Sequence, residues 1–170
     1  MENTREKVAA VTAKLRSSGI ICDLFGGWAE EVLGIREPSA HGDIDMVYRG
    51  ETFRELDSKL RDIPEFEEVP LKRFRHKRAF HFSGTLCEIT LVQEREGPFT
   101  LFWGDVPFRW DTPLLHGALV QVEREPISIV SANNLKRYRD LHKNTQPCWF
   151  PRGTEPVFPP RSEPPLSMVF

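Results

Sequence analysis

The residues best suited to chemistry are two aspartates that stand two positions apart in an apolar segment. Asp43 and Asp45 alternate with Ile44 and Met46, which is the pattern of a strand with one buried face. Residues i and i+2 of a strand point to the same side, so both carboxylates project together. Such a pair resists burial unless a cation lies between the two charges. The pattern favours a Mg²⁺ site, although a solvent-facing pair at a strand end would have the same spacing.

A third carboxylate stands in the most strand-like run of the second third of the chain. Glu88 lies within residues 85–92, which are rich in β-branched and apolar types. If this strand lies beside that of Asp43 and Asp45, three acids converge, as a two-metal site usually requires. An exposed face of an antiparallel sheet is the alternative position for Glu88.

A glycine pair precedes the aspartates. Residues 20–25 predict a short buried strand, Gly26 and Gly27 a sharp turn, and residues 28–33 a helix that Gly34 ends. Free N–H groups at the start of that helix would suit a phosphate oxygen. A tight strand-to-helix turn without a ligand is the alternative, because glycine marks turns generally.

In this order and spacing, the motifs resemble those of the polymerase-β-type nucleotidyltransferase superfamily. They are most similar to its small antibiotic-modifying branch, the aminoglycoside 2″-adenylyltransferases and lincosamide nucleotidyltransferases. The residues that carry the resemblance are Gly26-Gly27-Trp28, His41, Asp43, Asp45 and Glu88. The resemblance implies an α/β (α+β) nucleotidyltransferase fold, in which helices flank a mixed sheet within a minimal single domain.

The resemblance also implies roles for the acidic residues. Asp43 and Asp45 would bind Mg²⁺, with two ions expected in the centre, and Glu88 would bind a metal or act as the base that activates the acceptor hydroxyl. The chain departs from the branch at two places. Ser39 stands where an arginine is usual, with Arg36 as a candidate substitute, and the third acid is Glu where Asp is common.

Contacts to the nucleotide are expected at the glycine turn, at the residue that follows it, before the first aspartate and on the last helix. These positions are Gly26, Gly27, Trp28, His41 and Lys136. His41 has two alternative roles, orienting the metal loop or simply capping the strand. For Lys136 and the other basic residues of its helix, a solvated face is the alternative.

The implied reaction moves a nucleoside monophosphate, expected to be AMP, from ATP or another nucleoside triphosphate to a hydroxyl of a small molecule. Aminoglycoside and lincosamide antibiotics are the acceptors that the branch suggests. A different class remains open: a binding module of this fold, such as an antitoxin-like partner, with little catalysis. Transfer of AMP to a protein or an RNA end is a third possibility.

Composition narrows the class of protein. The chain has 170 residues, which fits one domain. Its net charge of −2 argues against nucleic acid or an anionic membrane as a partner. The three cysteines show no paired spacing and predict a cytoplasmic protein without a zinc site. We expect no membrane span and no signal peptide. Residues 1–146 are expected to form the nucleotidyltransferase domain, and residues 147–170 a proline-rich tail.

The remaining elements are predicted from periodicity and from turn residues. Helices are expected at residues 6–17, 52–60 and 131–143, and strands at 66–71, 79–82, 98–103 and 115–123. The basic cluster, residues 72–78, is interpreted as a solvated hairpin, with triphosphate or RNA binding as the alternative. Trp103, Phe108 and Trp110 are interpreted as core, with stacking on a base or an acceptor as the alternative.

Overall fold

Two adjacent strands form the centre of the molecule. In the computed structural model, which describes residues 3–102 and 106–145, β2 (Asp43–Arg49) runs parallel to β5 (Thr85–Glu94). Apolar side chains of both strands are fully buried, including Ile44, Cys87 and Ile89. Burial of this apolar face fixes the register, because a slip of one residue would turn every side chain to the opposite side.

The other strands extend this pair into a mixed sheet. Its order is β1-β2-β5-β4-β3, and β6 and β7 continue from the far end of β5; every pairing except β2–β5 is antiparallel. The added strands are β1 (Asp23–Leu24), β3 (Phe66–Glu68), β4 (Lys77–Phe82), β6 (Pro98–Phe102) and β7 (Val106–Arg109). A separate hairpin consists of β8 (Val120–Val122) and β9 (Glu125–Ile127).

Four helices flank the sheet in the described part of the chain. They are α1 (Arg5–Ser17), α2 (Gly26–Val32), α3 (Arg54–Arg61) and α4 (Ala132–Thr145). Each buries an apolar stripe, for example Val8, Val11 and Leu15 of α1 and Leu56 of α3. The mixed sheet with flanking helices confirms the predicted fold class.

Three predicted elements differ from the structure in extent. The strand expected at residues 20–25 is reduced to β1, and Ile21 within it is 58% exposed. The strand expected at 66–71 stops at β3, because a short 3-10 helix, Pro70–Lys72, follows it. The strand expected at 115–123 is only β8. Trp103, Cys148 and the proline-rich tail at 147–170 lie outside the described residues.

The start of α4 is held by a buried amide. Asn134, which is fully buried, accepts from the Asp111 N–H at 2.7 Å and donates to the Asp111 carbonyl at 3.0 Å. Farther along the helix, Tyr138 packs on Phe25, with ring centroids 4.6 Å apart. Phe25 directly precedes α2, so this contact joins the last helix to the glycine turn.

None of the helices in the described ranges is both long and apolar enough to span a membrane.

Candidate active site

The sheet brings three carboxylates together. The parallel register places Asp45 opposite Glu88 and Asp43 opposite Leu86. Side chains of paired residues in neighbouring strands point to the same face, so Asp43, Asp45 and Glu88 share one. Each offers an oxygen within 4.8 Å of the oxygens offered by the others. The expected convergence of the three acids is therefore confirmed, whereas their chemical roles stay predictions.

Burial and mutual repulsion make this cluster costly without a cation. Desolvation, followed by the charge of Glu88, raises the pKa of Asp43 above its usual value. Desolvation, followed by the charges of Asp43 and Glu88, raises the pKa of Asp45 well above its usual value. A divalent cation among these oxygens would relieve both effects, and carboxylates are the ligands that Mg²⁺ prefers. The donor set therefore fits the metal that the fold implies.

Two lysines of the basic cluster turn inward and hold the third acid. Lys72 Nζ donates to Glu88 Oε1 at 2.6 Å, and Lys77 Nζ donates to Glu88 Oε2. Burial by itself would raise the pKa of Glu88, but the charges of Lys77 and Lys72 outweigh it and lower the pKa to about 2. The interpretation of these residues as part of a solvated hairpin is therefore wrong.

Two arginines of this cluster, Arg73 and Arg78, also pair within the chain. Arg78, whose side chain is 7% exposed, donates to Asp57 of α3 from Nε at 2.7 Å and from Nη2 at 3.0 Å. Arg73 Nη2 contacts the same carboxylate at 2.6 Å. Sequence periodicity missed these contacts because Asp57 lies on another element, and a local pattern does not show which distant side chains meet.

The glycine pair allows α2 to begin directly against the carboxylates. Gly26 has φ +67°, and a Cβ on it would lie 2.9 Å from Asp45 Cβ and closer still to Asp45 Oδ2. A Cβ on Gly27 would lie 2.7 Å from His41 Nδ1. A side chain at position 26 would therefore have to displace Asp45, and one at position 27 would have to displace His41. The turn is thus fitted to the acids, as the sequence motif suggested.

Trp28 and His41 lie beneath this turn. Their ring centroids are 4.4 Å apart, and His41 Nε2 is 3.1 Å from Glu31 Oε2. Trp28 is 5% exposed, and its indole Nε1 has no hydrogen-bond partner among the described residues. The contacts within the protein show both residues supporting the shape of the turn. Direct contact with a nucleotide stays a prediction for each of them.

Two arginines stand near the glycine turn. Arg36 Nη1 would be 3.5 Å from a Cβ on Gly27, and it lies 3.9 Å from Glu30 Oε2. Arg139 Nη1 of α4 is 3.5 Å from the same buried carboxylate group. Arg36 is thus close to the turn, and its substitution for the arginine usual at Ser39 stays a prediction. Arg139 is one of the basic residues of the last helix that were expected to reach phosphate or to face solvent.

On α4, Tyr138 lies within electrostatic reach of the acids. Burial raises the pKa of Tyr138, and the charges of Lys77, Asp45 and Glu88 also act on it. Lys136, predicted to touch phosphate, lies on the exposed side of the same helix. Its contact with a nucleotide therefore stays a prediction.

The described aromatic residues of the segment that follows β6 are core. Phe108 and Trp110 are 6% and 4% exposed, and Trp110 Nε1 donates to Thr100 Oγ1 at 3.0 Å. Stacking on a base is thereby disfavoured for both of them.

Comparison with known proteins gives the class of fold. No protein-family model and no curated protein matches the chain. The chain does match solved structures of other proteins. The chain is similar to the lincosamide antibiotic adenylyltransferase LnuA with lincomycin bound, with a TM-score of 0.63 at 13% identity over 81% of this chain and 87% of that one.

Two further solved structures agree. One is ANT(2″)-Ia in complex with adenylyl-2″-tobramycin, with a TM-score of 0.60 at 16% identity over 86% of this chain and 80% of that one. The other is a putative nucleotidyltransferase from Thermotoga maritima, with a TM-score of 0.58 at 14% identity over 84% of this chain and 89% of that one. At the level of fold, these likenesses confirm the resemblance to nucleotidyltransferases, including the antibiotic-modifying branch.

Proposed function

We propose that the protein is a metal-dependent nucleotidyltransferase that moves AMP from ATP to a hydroxyl of a small molecule. The observation that carries the proposal is the cluster of Asp43, Asp45 and Glu88 on adjacent strands, directly against a glycine turn that leaves no room for a side chain. A partly buried cluster of carboxylates destabilises a fold unless it binds a cation, so the arrangement supports a metal-dependent activity, and the glycine turn beside it supports a phosphate-bearing substrate.

The chemistry can be assigned to groups of this chain. The acceptor oxygen attacks the α-phosphorus of ATP, the bond to the β,γ-pyrophosphate breaks, and the acceptor loses its hydroxyl proton. Mg²⁺, when bound, neutralises the phosphate charge. Asp43 and Asp45 would hold it, and Glu88 would bind a metal or accept the proton. The space above Gly26 and Gly27 would take the triphosphate.

Charge near the turn supports a polyphosphate ligand. Arg36 and Arg139 lie 3.9 Å and 3.5 Å from the carboxylate of the buried Glu30, so both guanidinium groups lie close to α2. Guanidinium groups donate well to phosphate oxygens. The acids alone would repel a triphosphate, and these two cations would offset part of that repulsion.

The acceptor is proposed to be small and to carry a hydroxyl. One relative by fold is a lincosamide antibiotic adenylyltransferase with lincomycin bound, and another holds adenylyl-2″-tobramycin, so lincosamide and aminoglycoside antibiotics are the first candidates. The test is to incubate the purified protein with ATP, Mg²⁺ and a panel of such compounds, and to look for adducts heavier by one AMP in a mass spectrum. The variant Asp43→Asn is the matched control and should give no adduct.

A binding module with little catalysis is the second candidate. The hydrogen bonds from Lys72 and Lys77 to Glu88 favour a binding module. They lower the pKa of Glu88 to about 2, and a carboxylate with such a pKa is a weak base. Measurement of ATP binding beside ATP turnover separates the two candidates. Mg²⁺-dependent ATP binding without release of pyrophosphate, for any acceptor tested, would favour the module.

Transfer to RNA is less well supported than transfer to a small molecule. The basic cluster that would dock RNA is largely paired with acids of the same chain, namely Glu88, Asp57 and Glu68. An RNA gel shift at two salt concentrations tests this alternative, since phosphate contacts weaken steeply with salt.

A further inference from the structure

Both carboxylate oxygens of Glu88, the third acid of the cluster, form ion pairs with lysines. Lys72 Nζ lies 2.6 Å from Glu88 Oε1, and Lys77 Nζ contacts Glu88 Oε2. The Glu88 side chain is 6% exposed, and those of Lys72 and Lys77 are 36% and 25% exposed. This is a partly buried ionic group within the acid cluster, unlike a solvated surface ion pair.

The lysines are positioned by the backbone around them. Lys72 ends the short 3-10 helix Pro70–Lys72, and Lys77 is the first residue of β4. In the antiparallel register, Lys77 lies opposite Thr90, two positions from Glu88 along β5, and side chains this close diagonally can meet. The loop between the lysines is closed by the Phe74 N–H, which donates to the Lys77 carbonyl at 3.0 Å.

Arginines anchor the same hairpin from its other side. Arg73 and Arg78 both bind Asp57 of α3, which ties the loop to the helix layer. The backbone that carries the two lysines is therefore anchored to α3 as well as to the sheet.

Charge and space then set how many metal ions the cluster accepts. A divalent ion bound to a Glu88 oxygen would stand next to an ammonium group on that same oxygen, and the two cations would repel each other at short range. The two lysines also neutralise most of the charge that a second ion would otherwise balance. Asp43 and Asp45 share their face with Glu88, and the lysines contact Glu88.

We propose that Lys72 and Lys77 replace the second metal ion, so that the centre binds one divalent cation through Asp43 and Asp45 while Glu88 stays paired with the two lysines. This inference rests on the proposed function. It revises the sequence-based expectation of two Mg²⁺ ions, and it assigns to the basic cluster a part in the catalytic centre.

The test counts bound metal directly. Mn²⁺ is titrated into the protein with one equivalent of α,β-methylene-ATP, and bound Mn²⁺ is followed by electron paramagnetic resonance. We expect the wild-type protein to bind one Mn²⁺ per chain with a single-ion spectrum. The variant Lys72→Met/Lys77→Met should bind a second Mn²⁺ and show the broadened spectrum of a coupled pair.

The matched control is Lys59→Met. Lys59 has the same side-chain exposure as Lys72, 36%, and also pairs with a glutamate, Glu55, but it lies on α3 and should leave one Mn²⁺ bound. Two ions in the wild-type protein, or only one in the double variant, would overturn the inference and leave the proposed function standing. Absence of Mn²⁺ binding in every protein would overturn both.

Loss of both lysines leaves Glu88 unpaired, so the double variant is first checked for folding by circular dichroism. If it is unfolded, the single variants Lys72→Met and Lys77→Met decide. A second Mn²⁺ in at least one of them supports the inference, and one Mn²⁺ in both overturns it.

Discussion

At the scale of single residues, the two aspartates combine a functional gain with a structural cost. Asp43 and Asp45 are held close to each other and to Glu88, and desolvation together with neighbouring carboxylates raises the pKa of both. An acid whose pKa is raised by folding destabilises the folded state when it is ionised. A site that destabilises its own fold in this way is typical of function.

We predict that Asp45→Asn abolishes AMP transfer, by at least about a hundredfold, and stabilises the metal-free protein by about 1 kcal/mol at pH 7. The ionised Asp45 costs most at pH values above its raised pKa, and this cost diminishes as the pH falls from there towards the ordinary pKa of an aspartate, below which it is absent. The stability difference between variant and wild type should therefore shrink in acid. Urea unfolding at several pH values measures it, with the exposed Asp62→Asn as control. Transfer within a few-fold of wild type would contradict the metal assignment.

Ionisation of Glu88 should stabilise the folded state, in contrast to ionisation of Asp45. The lysines outweigh its burial and lower its pKa from 4.5 to about 2, so ionised Glu88 stabilises the fold above its ordinary pKa. That stability is lost as the pH falls from about 4.5 to about 2. Glu88→Gln should remove roughly 2–3 kcal/mol at pH 7 and flatten the acid limb of the stability curve.

Kinetics of the same variant test its role in the reaction. Glu88→Gln should lower turnover far more than ATP affinity, because a group proposed to belong to the catalytic centre matters most when the acceptor attacks. Equal losses in both quantities would indicate general damage to the site, and no loss in either would remove Glu88 from it.

At the scale of elements, the glycine turn joins β1 to α2 and sets the distance between the helix and the acids. The Phe25 N–H donates to the Asp45 carbonyl at 2.9 Å, so the turn is tied to β2 at the position of the acid itself. A change in the turn is therefore transmitted directly to Asp45.

Gly26→Ala should destabilise the protein by about 2 kcal/mol and lower activity more than tenfold. The left-handed backbone at φ +67° and the overlap with Asp45 both contribute. Gly34→Ala is a matched control, since its φ is +69° and nothing lies within 4 Å of the added Cβ. The difference between the two variants in denaturant unfolding isolates the contact with Asp45. Equal effects would show that backbone strain alone is responsible.

The hairpin of the basic cluster depends on one buried arginine. Arg78 forms two hydrogen bonds to Asp57 and lies over the Phe53 ring at 4.3 Å. Arg78→Ser should therefore destabilise the protein by about 3–5 kcal/mol, since it leaves Asp57 with fewer partners in a partly buried site. The exposed Arg124→Ser should change the unfolding free energy by less than about 0.5 kcal/mol. A change of less than about 0.5 kcal/mol for Arg78→Ser would instead support the interpretation of residues 72–78 as a solvated hairpin.

The site was predictable from sequence where it depended on periodicity. Asp43, Asp45 and Glu88 lie on regular strands, so their face followed from alternation, and their convergence required only that the strands be neighbours. The positions of Lys72 and Lys77 depended instead on a short 3-10 helix and on side-chain reach, which no local pattern encodes. The extent of β1 was likewise set by tertiary contacts, because Leu24 pairs with Ser128 and Val130 across the chain.

At the scale of the whole molecule, fold and site form one structural unit. Tyr138 of α4 packs on Phe25, which precedes α2, and Asp45 of β2 lies opposite Glu88 of β5 in the strand register. Residues far apart in sequence therefore surround the same cluster. The described residues share one hydrophobic core. A change in charge at the acid cluster should therefore change the free energy of unfolding of the described part of the chain. Ligand binding should therefore be visible in global unfolding.

The last prediction follows from this coupling. Mg²⁺ with α,β-methylene-ATP at about a hundred times its dissociation constant should add about 2.7 kcal/mol of stability, because only the folded state holds the site. For a chain of this length, that corresponds to a rise in Tm of roughly 5–10 °C. Mg²⁺ alone should give a smaller rise, since it relieves the repulsion among the carboxylates but gains no phosphate contacts. Asp43→Asn should lose most of the shift, and differential scanning calorimetry would detect this. An equal shift in that variant would mean that the nucleotide binds elsewhere.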